Sequence, residues 1–408
     1  MTVREEKRAT GISHRWPKAL IIVVLLCLLT DPAPTGAGGL KDIVKNLWGG
    51  DGICLERILA FTCDPHFVAS SLGGLESLST ALASNVGFSA FNSTVTGFTF
   101  DIERGVPVQT QRSLGPLLAE RAITLGARKL NVAFSYTRVK YTRFRGDPLN
   151  QLSLIFSHID QNGDGVLTGS ETDIIQVELD LDIEQEVFAL FATYGLTRAW
   201  DVGILFPVVT TRVRAEADAT LISTLPVPVH VFGEPGTEPP RSMGSGEETG
   251  IGDIIVRSKY NFLRDYGSWP DLAIVGQVKL PTGDEDNLLG TGETNVVGLL
   301  VASRTFGPVT PHVNLGYEFS TDSKQSNVRY ALGFDAQMLP ALTLAFDVLG
   351  RWEHDGDGIG DRTLDFAVGA KWNLFGVLPV SANVLLPLNR DEGLRADIIW
   401  TVGLEYTF

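Results

Sequence analysis

Long apolar runs are missing from this sequence: beyond residue 37 no stretch reaches about eighteen apolar residues, which excludes membrane-spanning helices. Histidine is sparse, with six scattered in 408 residues, and no Gly-x-Ser-x-Gly elbow occurs. No ordered Ser/His or Asp/His set can be assembled, so the chain reads as a non-enzyme. Cysteine is sparser still, three in all. Cys27 lies inside an apolar leader, and Cys54 and Cys63, without a His cluster nearby, make a poor zinc site. Positive charge is also short: 33 Lys and Arg stand against 48 Asp and Glu, a net charge of −15. That is the wrong sign for nucleic acid, whose phosphates demand cations.

The amino terminus carries Arg4, Lys7, Arg8, Arg15 and Lys18, then an apolar run from Ala19 to Leu29, then the small residues Thr35-Gly36-Ala37. The run is too short to span a bilayer, and the order reads as a secretory signal peptide over residues 1–37, cleaved near Ala37. Without it, 28 basic residues face 45 acidic ones, a net charge near −17. Export places Cys54 and Cys63 in an oxidising compartment, where a disulfide between them is expected.

Period-two alternation is what the chain has in abundance. In its last eleven residues Ile398, Trp400, Val402, Leu404, Tyr406 and Phe408 alternate with Thr401, Gly403, Glu405 and Thr407. That spacing puts the two sets on opposite faces of a strand. The length suits a tilted membrane-crossing strand of about 9–11 residues. An aromatic terminus of this kind resembles the signal by which outer-membrane barrels engage the barrel-assembly machinery. The same pattern recurs upstream and predicts twelve strands near 130–144, 174–196, 200–216, 250–264, 271–282, 294–306, 309–321, 326–338, 341–353, 363–375, 378–389 and 397–408. Short links such as 197–199, 307–308, 339–340 and 375–377 alternate with longer ones, and the count is even. The fold expected is an all-β, antiparallel transmembrane outer-membrane β-barrel over residues 130–408, with the termini of the barrel on the short-link side and the long loops outside. A secreted β-sandwich also alternates. It is disfavoured by aromatics near strand ends (Tyr194, Trp200, Phe262, Phe306, Trp352, Trp372, Trp400, Tyr406) and by a second face rich in Gly, Ala, Asn and charge.

Residues 38–129 lack this pattern. Short helices are expected at 40–48, 70–84 and 115–124, and a hairpin from 98–101 and 106–110, forming a small mixed or helical cap or plug. If that hairpin joined the wall, the strand count would be fourteen.

Asp160-Gln-Asn162-Gly-Asp164-Gly165-Val166-Leu-Thr168-Gly-Ser-Glu171 has the EF-hand spacing, with glycine at the sixth position. Asp160, Asn162, Asp164, the Val166 carbonyl, Thr168 and Glu171 are the expected ligands of a structural calcium ion. A helix is expected before them at 149–158 and a strand after them. The turn His354-Asp355-Gly-Asp357-Gly-Ile-Gly-Asp361 lacks the closing glutamate and reads as a solvated acidic turn. Along 174–196 the residues Glu178, Asp180, Asp182, Glu184 and Glu186 alternate with Val177, Leu179, Leu181 and Ile183, and the apparent phase change at Gln185 predicts a bulge. A turn at Arg198 sets Arg212 and Arg214 opposite Glu184 and Asp182, either as a filter at a pore mouth or as a solvated, ion-paired hairpin. Residues expected to line the lumen are Arg257, Lys259, Lys279, Arg329, Asp347 and Lys371, with His312 on the same face.

The segments Gly250-Ile-Gly-Asp253-Ile-Ile-Val-Arg-Ser-Lys259-Tyr260, Gly276-Gln-Val-Lys279-Leu280-Pro281-Thr282-Gly283-Asp284 and Gly290-Thr-Gly292 resemble the MetA-pathway phenol-degradation family of outer-membrane barrels. That family is distantly similar to long-chain fatty-acid and aromatic-hydrocarbon transporters. The resemblance covers residues 130–408 and implies a Gram-negative outer-membrane barrel that takes up small hydrophobic or aromatic solutes passively. The alternative is a non-transporting surface barrel whose calcium-stabilised loops bind a partner or lipopolysaccharide.

Overall fold

A computed structural model describes residues 39–44, 47, 56–57, 67–68, 98–101, 106–109, 114–115, 118–158, 160, 163–223, 225–226, 230–231, 241–321, 326–354, 362–374 and 378–408. The expected signal peptide, Cys54, Cys63, Asn162, the helix at 70–84 and the acidic turn at 355–361 lie outside the described residues.

Twelve antiparallel strands form the wall: β1 (Leu130–Phe144), β2 (Ile174–Gly195), β3 (Trp200–Ile222), β4 (Ile255–Leu263), β5 (Asp271–Lys279), β6 (Asn295–Ser303), β7 (Val309–Ser320), β8 (Ser326–Leu339), β9 (Leu342–His354), β10 (Arg362–Leu374), β11 (Leu378–Pro387) and β12 (Leu394–Thr407). Each pairs with its neighbours in sequence, and β12 pairs with β1, Leu404 opposite Phe134, so the sheet closes. The fold is an all-β, twelve-stranded closed barrel of outer-membrane type. The hairpin Phe98–Asp101 with Val106–Gln109 forms as expected but makes its own two-stranded sheet, so the wall has twelve strands and not fourteen.

Alternation explains the wall. On β3, Trp200, Val202, Ile204, Phe206 and Val208 face outward, while Asp201, Leu205, Val209 and Thr211 are buried inside. Beyond Val208 the outward side chains become Thr210, Arg212, Arg214, Glu216 and Asp218, yet the alternation never breaks. Nine residues at about 3.3 Å each, tilted by about 40°, give a band about 23 Å tall, the height of a lipid-facing belt. Tyr194, Trp200, Phe262, Phe306 and Trp372 are exposed along the short-turn edge, and Trp352 and Tyr317 along the other. The mouth of the barrel is therefore drawn by chemistry on an unbroken strand.

This overturns the bulge expected at Gln185. Every odd residue of β2 from Ile175 to Gly195 is buried, with no shift in register against β1 or β3. What changes at Gln185 is which face is apolar. Below it Phe188, Leu190 and Tyr194 point outward, and above it Glu178, Asp180 and Asp182 do. The strands β2 and β3 thus run on beyond the belt as a long hairpin. They are flanked by Leu152–His158 on one side and Arg241–Ile251 on the other.

Three further expectations fail here. A strand, Leu152–His158, replaces the helix before the calcium-like loop, because its residues pair with β2 from Leu179 to Ile174. The single strand 250–264 is two: Arg241–Ile251 follows the upper half of β3, β4 follows its lower half, and residues 252–254 form the break. Of the helix at 40–48, only a 3₁₀ turn at Leu40–Asp42 is described.

The inner face of the projecting hairpin is apolar. Ile175, Val177, Leu179, Leu181, Ile183, Val213, Ala215 and Ala217 pack with Tyr141, Leu149, Leu288 and Leu40.

The belt makes a direct prediction. Leu315 on β7 is 56% exposed at mid-strand, so Leu315→Arg should cost about 2–4 kcal/mol of folding free energy in phospholipid vesicles. Glu178→Arg, above the belt, should stay within about 0.5 kcal/mol.

Candidate functional site

The lumen is crossed near the short-turn end by residues 118–125. They form no helix, against expectation, and their backbone groups are taken by the wall. Leu118 and Ala119 amides donate to Asp347 Oδ2, both at 3.3 Å. The Glu120 amide donates to Asn314 Oδ1 (2.7 Å), the Ala122 amide to Ser303 Oγ (3.0 Å) and the Leu125 amide to Asp201 Oδ2 (2.7 Å). Asn314 Nδ2 and Asn261 Nδ2 donate to the carbonyls of Glu120 (2.9 Å) and Ala122 (2.8 Å). An irregular segment can be buried only if such partners exist. Here they come from β3, β4, β6, β7 and β9.

Two ionic anchors hold the same segment. Arg121, 1% exposed, donates from Nε to Asp335 Oδ1 at 2.8 Å and pairs through Nη2 with the other oxygen. Glu120 meets two cations, Arg257 Nη2 at 2.7 Å and Lys259 Nζ at 2.5 Å. Burial alone would raise the Glu120 carboxyl, but Arg257 and Lys259 outweigh it and hold its pKa down at about 2.

At the long-loop end, residues 280–294 fold across the mouth. Asp253 fastens them: Oδ1 accepts from the Gly283 amide (3.0 Å) and Oδ2 from the Thr291 amide (2.9 Å) and hydroxyl (3.1 Å). Lys279 Nζ lies 3.2 Å from Asp253 Oδ2 and donates to Thr291 Oγ1 at 2.6 Å. Thr282 Oγ1 donates to the Gly252 carbonyl (2.7 Å) and accepts from the Ile254 amide (2.9 Å). A Cβ on Gly290 would stand 2.4 Å from Asp253 Oδ1, so only glycine admits this approach. The lid then sends Leu288 and Leu289 into the lumen, where the Leu288 carbonyl accepts from Gln185 Nε2 (3.3 Å) and Thr211 Oγ1 (3.1 Å).

The six residues expected to line the lumen all face inward, and each meets an opposite charge or, for Asp347, a histidine. Arg257 and Lys259 share Glu120, and Lys279 pairs with Asp253. Arg329 lies 2.7 Å from Glu318 and Lys371 2.9 Å from Glu405. His312 Nε2 is 2.6 Å from Asp347 Oδ1. Glu120, Arg121 and their partner Asp335 were not legible in the sequence, because an irregular segment carries no periodicity to reveal its partners.

Against the segment lies a cavity with about 830 Å³ of empty space, its open side included. Its walls include Leu299, Ala331, Leu349, Leu385 and Ile399 with the polar Gln277, Asn314, Arg329, Asn383 and Thr401, over Leu118, Ala119 and Glu120.

The charges near the mouth fall elsewhere. Glu184 is opposite Arg212 and Asp182 opposite Arg214, the expected register. They lie on the outer face of the hairpin, however, where Arg212 meets Glu186 and Glu247, both at 2.9 Å. They do not face the lumen and cannot filter its traffic. In the loop 160–171, Asp160 accepts from the amides of Gly163 (2.8 Å) and Gly165 (2.7 Å), and Asp164 from that of Val166 (2.8 Å). Glu171 is buried and Val166 is 57% exposed. Among the described residues no three His, Cys, Asp or Glu side chains gather as a metal cluster.

The family described as "Putative MetA-pathway of phenol degradation" matches residues 160–375, more than half of the chain. The chain belongs to that family. The Asp253, Gly283 and Gly290–Thr291 signature that carried the resemblance is the fastening of the lid. Among curated proteins none matches the sequence. Similar solved structures include an outer-membrane channel of Pseudomonas putida F1, 14% identical over 70% of this chain and 98% of that one, TM-score 0.44. The toluene transporter TbuX of Ralstonia pickettii is 10% identical over 69% and 90%, TM-score 0.34. A Pseudomonas aeruginosa FadL homologue is 9% identical over 69% and 89%, TM-score 0.29. These likenesses place no substrate on this chain.

The anchor at Arg121 can be tested. Arg121→Met leaves the Asp335 carboxylate without its guanidinium, a loss of about 3–5 kcal/mol for a broken buried pair. Hydrogen exchange should show residues 118–125 losing protection while β4 to β9 keep theirs.

Proposed function

We propose that this protein is an outer-membrane β-barrel channel for passive uptake of small hydrophobic or aromatic molecules in a Gram-negative cell. The observation that carries the reading is the largely apolar cavity inside a belted barrel, lined by wall strands over the tethered segment 118–120. Among the described residues inward charges pair with one another, as Lys279 does with Asp253 and Lys371 with Glu405, rather than forming an open ring of one sign. A solute would be selected by polarity and size.

In this reading the short-turn end and the terminal strand face the periplasm, where the aromatic carboxy-terminus meets the barrel-assembly machinery. The long loops face outside, among lipopolysaccharide. Residues 38–129 act as the plug, and 118–125 are its seat in the pore. No chemistry beyond binding and passage is assigned, and the protein is not an enzyme. The loop 160–171 holds a structural calcium ion at the outer surface.

Proteoliposome flux tests the function. Wild-type protein should admit a small neutral aromatic such as benzyl alcohol faster than glucose, and equal rates for both, or no flux, would sink the reading. The plug adds a pH dependence with a definite sign. Glu120 titrates lower in the folded chain than its ordinary 4.5, so its contribution is complete above that value and is lost as pH falls towards 2. Conductance across planar bilayers should therefore rise as pH falls from 4.5 to 2. Glu120→Gln should show the raised conductance already at pH 7.

Calcium is tested by titration. Calcium should raise the melting temperature of the wild type and leave Glu171→Gln unmoved. An indifferent wild type removes the ion.

A further inference from the structure

The amino-terminal segment has a second place in the fold. Residues 118–125 are seated near the short-turn end, but residues 39–44 and Leu47 lie at the long-loop end, against the lid. They meet its tip backbone to backbone. The Lys41 amide donates to the Asp286 carbonyl at 3.1 Å, and the Leu40 amide to Asn287 Oδ1 at 3.3 Å. The Lys41 ammonium pairs with the Asp286 carboxylate. Gly39 passes so close to the Asp286 carbonyl that no Cβ would fit there.

The projecting sheet holds the same residues from the other side. Leu40 and Leu47 are buried in its apolar inner face, in one cluster with Leu288 of the lid and with Val213, Ala215 and Ala217. The Ser242 hydroxyl donates to the Leu47 carbonyl. Gly244 and Gly246 make the groove. A Cβ on Gly246 would stand 2.6 Å from Leu40 Cδ2, and one on Gly244 2.9 Å from Ile43 Cγ2.

Asp253 fastens the lid near its base, at Gly283 and Thr291, and Gln185 and Thr211 reach it at the Leu288 carbonyl. The turn at Asp286 and Asn287 is where Leu40 and Lys41 take hold.

We propose that residues 39–44 with Leu47 are a clasp, tying the tip of the lid to the inner face of the projecting sheet and so keeping the long-loop end of the lumen covered. The ion pair adds little to the hold, since Lys41 and Asp286 are 37% and 59% exposed. Burial of Leu40 among lid and sheet residues supplies most of it. Swinging the lid aside therefore requires drawing Leu40 out of its groove as well as releasing the base. The clasp stands whether or not a solute passes, and its action as a gate rests on the channel reading.

The contact itself is tested on the unaltered chain. A water-soluble carbodiimide should join Lys41 Nζ to the Asp286 carboxylate as an amide, read by mass spectrometry of the linked peptides. Absence of that link in folded protein overturns the clasp. Two variants then test the hold: Gly246→Leu fills the groove, and Leu40→Ser removes the buried side chain. In each, hydrogen exchange at the Leu288 and Leu289 amides should quicken about tenfold while the Gly283 and Thr291 amides stay within about twofold. Heat-modifiable migration on gels verifies that each variant has folded. Unchanged exchange at the lid in both variants overturns the clasp. In planar bilayers at pH 7 the same variants should conduct more than wild type. Faster lid exchange with unchanged conductance leaves the clasp and removes the gate. Faster lid exchange with no current from any form leaves the clasp and removes the channel.

Discussion

Everything in this molecule follows from closure of the sheet. In hydrocarbon an unmade backbone hydrogen bond costs several kcal/mol, so a strand-built wall must have no free edge. The pairing of β12 with β1 supplies that, down to the reciprocal bonds between Leu130 and Phe408, at 2.8 and 3.3 Å. Closure fixes which side of every strand meets lipid. It also creates a lumen with more room than the wall's own side chains fill, and whatever enters must be reconciled with the wall group by group.

The plug and the lid solve that problem differently. The plug is irregular backbone, so its amides and carbonyls are taken up by Asp347, Asn314, Ser303, Asp201 and Asn261 on five wall strands. The lid is a loop from the wall itself, closed by one carboxylate, Asp253, and by two glycines that let backbones meet. Packing adds to both. Val297, Leu299 and Val301 of β6 are apolar on the inward side as well as beside apolar outward residues. That is why this strand alternates poorly, for Val301 and the partly buried Leu299 pack with Ala122 of the plug.

The barrel was legible in the sequence because period two is a local signal repeated twelve times. The inward positions of Arg257, Lys259, Lys279, Arg329, Asp347 and Lys371 were legible for the same reason. Their partners were not, since Glu120 lies 139 residues from Lys259 and no periodicity links them. The bulge read at Gln185 shows the limit of reading polarity as geometry. Water replaced lipid on one face while the strand ran straight on, and the pattern of hydrophobicity inverted without any change of register. The segment around the calcium-like loop misled in a related way: Leu152–His158 pairs with β2 as a strand where a helix was expected, because the hairpin beside it offers an edge.

Charge compensation inside the lumen has a consequence for selection. An open ring of one sign would attract counter-ions and pass them on. Here Lys279 with Asp253, Lys371 with Glu405, Arg395 with Asp365 and Arg329 with Glu318 cancel locally. On the proposed channel reading, what remains for a solute to feel is desolvation, which penalises ions most, polar neutrals less and apolar bodies least. The same cancellation makes Glu120 the point of leverage. It balances Arg257 and Lys259 together, so protonating one carboxyl would leave two buried cations facing each other beneath the plug. Two like charges a few ångströms apart in a poorly solvated lumen repel, and the element that can yield is the tethered segment rather than the hydrogen-bonded wall. On the channel reading proposed above, the wall would set the size of the passage, and Glu120 would set how firmly the segment 118–125 is seated in it.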